Sequence, residues 1–220
     1  MWHRKTDSGR EEKMSGTGAA ERLAKIKAQP ERIEVDLAKT AIIVVDMQNA
    51  FVGRGKDSSL PLQYIHGAKR TIMRTKRLVE ASRAATIKVV YLTMMKNPKR
   101  KGKSLIKSPR DTKIVDELTP QAGDVVVEKS CYSGFRGTKL DEILRSHKME
   151  YLIFTGIATN ICVESTLRDA YFLDYWTILV SDATNGAGPS ITQRATLWNV
   201  REAFGWVATT EGVLKALSGK

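Results

Sequence analysis

From Thr40 onward, short runs of β-branched and other apolar residues alternate with segments whose apolar positions recur every three or four residues. Ala41-Ile42-Ile43-Val44-Val45 is continuously apolar and ends in Asp46, the pattern of a strand covered on both faces of a parallel sheet. Ile87-Lys88-Val89-Val90-Tyr91-Leu92 and Tyr151-Leu152-Ile153-Phe154-Thr155-Gly156 repeat the pattern, and weaker runs occupy 124–128 and 177–181. Between them, helical spacing covers 68–85, 140–146, 163–173 and 191–204. Strands that alternate with helices predict a doubly wound, three-layer α/β/α sandwich with a mostly parallel sheet of about five strands.

Residues 1–30 have a different texture. Ser, Gly, Thr, Lys, Arg and Glu dominate and apolar residues are few, as in a solvated tail. Acidic Asp7, Glu11 and Glu12 among the basic residues argue against an organellar transit peptide, and Met14 is an alternative start. The expected organisation is therefore a polar tail over 1–30 and one domain over 31–220, an ordinary size for a single core in a chain of 220 residues. No apolar stretch is long enough to cross a bilayer, so no membrane association and a cytoplasmic location are expected. Two cysteines, Cys131 and Cys162, make no disulfide framework and point to free thiols.

In an open α/β sheet, ligands bind beyond the carboxyl ends of the strands. Asp46, Lys129 and Cys162 each stand at or just past such an end. Cys162 follows the turn 156–161 and enters a helix that starts near Asn160, where the helix dipole and open N–H groups favour thiolate. Asp46 can take the thiol proton and return it to a leaving amine, and Lys129 can hold negative charge in place. Each residue alone has an ordinary reading: a small buried thiol, a turn cap, a solvated lysine.

The surrounding residues add to that set. Val45-Asp46-Met47-Gln48-Asn49-Ala50-Phe51, Lys129-Ser130-Cys131-Tyr132-Ser133-Gly134-Phe135 and Thr155-Gly156-Ile157-Ala158-Thr159-Asn160-Ile161-Cys162-Val163 together resemble the three signature segments of the isochorismatase-like cysteine hydrolase superfamily. The resemblance spans about 40–217. It implies Asp46 as general base and acid, Lys129 as its partner and Cys162 as nucleophile. It also implies a cis Ile157–Ala158 peptide that turns the N–H groups of Ala158 and Cys162 toward a developing oxyanion. The second half of the chain, with Ala187-Gly188-Pro189 and Phe204-Gly205-Trp206-Val207, is most similar to the ureidoacrylate-hydrolysing branch. That implies hydrolysis of a C–N bond in a ureido or amide substrate through a covalent Cys162 intermediate, with carbamoyl amino acids, biuret or simple amides as alternatives. Phe51, Tyr132 and Asn160 are the candidate substrate-binding residues.

No cofactor is expected. The metal-binding members of the superfamily use an Asp with several His, whereas His3, His66 and His147 are far apart and lack ligand spacing. Relatives are usually oligomers, which implies a homo-oligomer.

Charge changes one part of this picture. The formal net charge is +12, and it resides in the middle of the chain. The stretch 96–113 holds eight basic residues against Asp111 alone and carries Pro98, Gly102 and Pro109, so it is predicted to be a loop. Over the site, it would draw in anionic small molecules; otherwise it is a solvated loop. It departs from the branch that the second half resembles, which has a longer, aromatic loop at this place. A third reading, a non-catalytic binder of nucleic acid or acidic partners, lacks aromatic residues interleaved for base stacking, so no nucleic-acid partner is expected.

Overall fold

A computed structural model describes residues 22–52, 67–97, 99, 106 and 108–219 of the protein. Its strands are β1 (Leu23–Ile26), β2 (Ala28–Gln29), β3 (Ile33–Asp36), β4 (Thr40–Val45), β5 (Lys88–Met94), β6 (Val125–Lys129), β7 (Tyr151–Ile157), β8 (Trp176–Asn185) and β9 (Trp206–Ala208). The helices are α1 (Asn49–Val52), α2 (Ala68–Ala84), α3 (Pro109–Thr112), α4 (Leu140–Ser146), α5 (Glu164–Phe172), α6 (Ser190–Asn199) and α7 (Thr210–Leu217).

The main sheet has the order β2-β9-β8-β7-β4-β5-β6. All neighbours are parallel except β2, which runs antiparallel to β9 at the edge. The chain moves outward from β4 through β5 to β6, then returns to the other side of β4 as β7 and moves outward through β8 to β9. The order therefore reverses between β4 and β7, and at such a switch point the loops leave in opposite directions and open a crevice.

The continuous apolar run of β4 has the predicted cause. Ile42 and Val44 join the core under α2 and α7, whereas Ala41, Ile43 and Val45 join the core under α4 and α5. All five are fully buried. Each buried Ile or Val contributes about 1.5–3 kcal/mol of apolar burial, which makes β4 the strand on which the two layers are built.

Several boundaries differ from the expectation. Leu23–Ile26 and Ala28–Gln29 lie inside the segment expected to be a polar tail, yet they form strands. Ala24 and Ile26 point inward and β1 pairs with β3 over four residues, too short an alternation to stand out in polar surroundings. The rest of that tail, 1–21, lies outside the described residues. The sheet has seven strands where five were expected, because β2 and β9 are two and three residues long. The helix that carries Cys162 starts next to Asn160 as expected, but its first turn, Thr159–Val163, is π-helical, and α6 passes into another such turn at Val200–Phe204. Helix α7 was not anticipated; it is capped by Thr209, which accepts from the Gly212 N–H at 3.1 Å.

One glycine sets how closely β4 and β7 approach. Gly156 lies opposite Val45 with φ of 108°, and a Cβ there would collide with the Val45 backbone. The pairing of β7 with β8 slips just there, from Phe154–Leu179 to Gly156–Thr184. Gly156→Ala is expected to destabilise the protein by about 2 kcal/mol or more, read as a lower denaturant midpoint with unchanged slope.

Candidate active site

Asp46 is the first residue beyond β4. Its φ of 51° places it in the left-handed region, which a non-glycine residue adopts only when its surroundings enforce it. Its N–H donates to Leu92 O at 3.0 Å and its carbonyl accepts from Gln48 N–H at 2.8 Å. Gln48 is fully buried and uses its whole amide: Nε2 donates to Met94 O (3.0 Å) and Thr112 O (2.9 Å), and Oε1 accepts from Met94 N–H (2.7 Å). The turn bearing Asp46 is thus pinned to the end of β5.

Lys129 ends β6, two strands away from β4. Its side chain has no exposed surface, and Nζ reaches Asp46 Oδ2 at 2.8 Å and Cys131 O at 3.2 Å. Asp46 Oδ1 is buried and accepts no hydrogen bond.

Cys162 comes from the far side of the switch point. The Ile157–Ala158 peptide is cis, after which Ala158 caps the π-helical turn; its carbonyl accepts from Ile161 N–H (3.0 Å) and Val163 N–H (3.2 Å). Cys162 is buried, 7% exposed, and not disulfide-bonded. The structure therefore brings together the three residues that the sequence analysis selected.

The electrostatics of this trio differ from the thiolate expected at a helix start. Burial raises the Asp46 carboxyl above its ordinary range, with the nearby Lys129 charge opposing. Burial, and then the Asp46 charge, push the Cys162 thiol well above its ordinary value, again with Lys129 opposing. A helix end supplies only about 0.3–1 kcal/mol, less than the 1.36 kcal/mol of one pKa unit, so burial dominates. Burial and the Asp46 charge thus favour the protonated thiol over the thiolate.

The candidate substrate-binding residues have different surroundings. Phe51 is 7% exposed and belongs to the core under α2, because α1 turns its apolar residues inward. Asn160 spends its amide on one backbone, Nδ2 donating to Ala187 O (3.0 Å) and Oδ1 accepting from Ala187 N–H (2.8 Å). It thereby ties the turn after β7 to the loop after β8. Tyr132 stands 46% exposed on the segment that follows Lys129.

Both ends of the basic stretch start from this sheet edge. Met95 N–H donates to Lys129 O at 2.7 Å, and Asn97 Nδ2 to Ser130 O at 2.9 Å. At the far end, Asn49 N–H donates to Lys113 O and Val115 N–H to Met47 O, at 2.9 and 3.0 Å. Lys96, Lys99, Arg110 and Lys113 are exposed; residues 98, 100–105 and 107 lie outside the described residues.

Among the described residues, no three His, Cys, Asp or Glu side chains gather into a metal site, and no helix is long and apolar enough to cross a membrane. The sequence analysis did not single out Gln48, Thr166 or Asp169 as residues that shape the site. The one local signal was a hydroxyl residue four positions after Cys162, the spacing at which a helical threonine bonds back to a carbonyl.

Residues 40–212 match the family model described as the isochorismatase domain. A ureidoacrylate amidohydrolase, RutB, of Serratia proteamaculans is 41% identical over 90% of this chain and 91% of its own. Among solved structures, a cysteine hydrolase from Pseudomonas syringae pv. phaseolicola superposes with a TM-score of 0.75 at 28% identity, covering 91% of this chain and 99% of that one. N-carbamoylsarcosine amidase from Thermoplasma acidophilum gives 0.67 at 29% identity, covering 79% and 97%. The parallel sheet, its switch point and the Asp46, Lys129 and Cys162 arrangement thus occur in a chain that belongs to the isochorismatase family.

Proposed function

We propose that this protein is an amidohydrolase that cleaves a C–N bond of a ureido substrate, with Cys162 as nucleophile, Asp46 as proton carrier and Lys129 as the charge that holds Asp46. The reaction class is supported by the family and by the ureidoacrylate amidohydrolase relative. The observation that carries the residue assignment is the fully buried Lys129–Asp46 contact at 2.8 Å with a buried thiol coupled to both.

In this mechanism, the Cys162 proton passes to Asp46 as Sγ attacks the ureido carbonyl carbon. The backbone N–H groups of Ala158 and Cys162 receive the developing oxyanion; preorganised donors of this kind contribute about 2.7–4 kcal/mol each. The tetrahedral adduct collapses as Asp46 gives its proton to the leaving nitrogen, which leaves a carbamoyl thioester on Cys162. Water then attacks the thioester, its proton goes to Asp46 and on to the departing sulfur, and carbamate is released. Asp46 is suited to both directions because burial brings its proton affinity closer to that of the groups it serves.

A ureido acid is the favoured substrate form. Lys96, Lys99, Arg110 and Lys113 are exposed on a stretch whose two ends are bonded next to the site, and charge so placed raises the encounter rate of an anion. The likeness to N-carbamoylsarcosine amidase supports a second reading, in which the substrate is a carbamoyl amino acid cleaved by the same steps.

Cys162→Ser is expected to lower kcat for ammonia release from ureidoacrylate by about 10³-fold or more with an unchanged melting temperature; near wild-type turnover would exclude Cys162 as nucleophile. Asp46 must be ionised to accept the proton, so kcat/KM falls as pH drops through its raised pKa. The acid limb is expected above the usual carboxylate range. Asp46→Asn should remove that limb together with about 10²- to 10⁴-fold of rate; a limb that persists in this variant belongs to another group. Changing Lys96, Lys99, Arg110 and Lys113 together to Gln should raise KM for a ureido acid several-fold at low salt, with little change at about 1 M salt or for a neutral ureide.

A further inference from the structure

Between Lys129 and Cys162 lies a hydrogen-bonded link that the mechanism above does not use. Thr166 stands on α5 one turn beyond Cys162 and is fully buried. Its hydroxyl donates to Cys162 O at 2.6 Å and accepts from Gly134 N–H at 3.0 Å. A helical threonine that only bonds back to its own helix uses the donor alone. Here the acceptor leaves the helix for the segment that follows Lys129.

That segment is seated tightly. A Cβ on Gly134 would lie 2.5 Å from Leu92 Cδ1 and 3.1 Å from the Thr166 methyl group, so the backbone itself is in contact with α5. One turn further along the same helix face, Asp169 Oδ2 accepts from Ser133 Oγ at 2.5 Å, and Ser133 Oγ in turn accepts from Phe135 N–H at 3.2 Å. At the other end of the segment, Cys131 O accepts from Lys129 Nζ. The ammonium is thus held by the backbone at Cys131, and three residues later the same backbone is bonded through one hydroxyl to the carbonyl of Cys162.

We propose that Thr166 is a positioning residue that sets where Cys162 stands relative to the Lys129–Asp46 pair, with Ser133 and Asp169 as a second tie. This rests on the reading of Cys162 as nucleophile. The hydroxyl does the work; the methyl group only packs. Thr166→Val keeps the shape and removes both hydrogen bonds, and Thr166→Ser keeps both.

The test measures kcat and KM for ureidoacrylate, the pH dependence of Cys162 alkylation by iodoacetamide in a Cys131→Ser background, and the melting temperature. In Thr166→Val, kcat is expected to fall about 10- to 100-fold with KM within about threefold, as for a small misplacement of a reacting group. The alkylation profile should shift along the pH axis, because the coupling of the thiol to Asp46 and Lys129 changes. Thr166→Ser should stay within about threefold of wild type in kcat and keep the wild-type alkylation profile. Ser133→Ala should show a smaller loss in the same direction.

Wild-type kcat and alkylation in Thr166→Val would overturn the proposal. So would equal losses in the Val and Ser variants that follow melting temperature alone, which is the signature of packing. If Thr166→Val does not fold, Ser133→Ala decides: reduced kcat with an intact melting temperature supports the link, and unchanged kcat overturns it. Cys162→Ser in the same assay separates the two levels. An active Cys162→Ser variant would overturn the nucleophile assignment and this proposal with it, whereas an inactive one alongside an unaffected Thr166→Val overturns the positioning role alone.

Discussion

Two opposite charges 2.8 Å apart and buried from solvent, Lys129 Nζ and Asp46 Oδ2, impose a strict demand on this molecule. Taking either charge out of water costs several kcal/mol, and the pair returns that only when the geometry is good and the remaining polar atoms have partners. Lys129 meets the condition with a second bond to Cys131 O. Asp46 meets it less fully, since Oδ1 has no N–H or O–H donor and the carboxylate has, besides Lys129, only the weak thiol donor of Cys162 among the described side chains. An unsatisfied buried carboxylate oxygen beside a thiol is poor for stability and suited to accepting a proton, and the raised pKa of Asp46 expresses both.

The pair also constrains the sheet. Its members leave strands separated by β5, so the ends of β4, β5 and β6 must stay in register for the lysine to reach. Gln48 is the clamp that holds the Asp46 turn in place, through two hydrogen bonds to Met94 at the end of β5 and one to Thr112 O on α3. Cys162 arrives on the turn after β7, which pairs with β4 on the side away from β5 and β6, across the switch point. Contacts that cross between the two halves near the site include Gly156 packed against Val45 at the sheet, the hydroxyl of Thr166 bonded to Gly134 N–H, and Ser133 bonded to Asp169.

Burial also raises the proton affinity of the Cys162 thiol. A thiolate formed permanently at the helix start would be open to oxidation and alkylation. Here desolvation and the Asp46 charge keep the proton on sulfur.

The chain by itself determined the layers and pointed to Asp46, Lys129 and Cys162. The β4 run is apolar without alternation because both sheet faces are covered, and that alone predicts a parallel sheet with helices on either side; strand ends then select Asp46, Lys129 and Cys162, and the motifs around them agree. Short elements escaped this reading, since β2 exists as an edge strand on β9, β9 by its pairing with β8, and β1 by its pairing with β3, rather than by any periodicity of their own. Only the tertiary structure decided in which direction the Cys162 thiol shifts, because burial is a sum over distant elements and outweighs the local helix end. It also decided that Phe51 faces the core and that Asn160 serves Ala187. The link from Lys129 through Gly134 and Thr166 to Cys162 was equally out of reach, since hydrogen bonds between segments more than thirty residues apart leave no trace in local pattern.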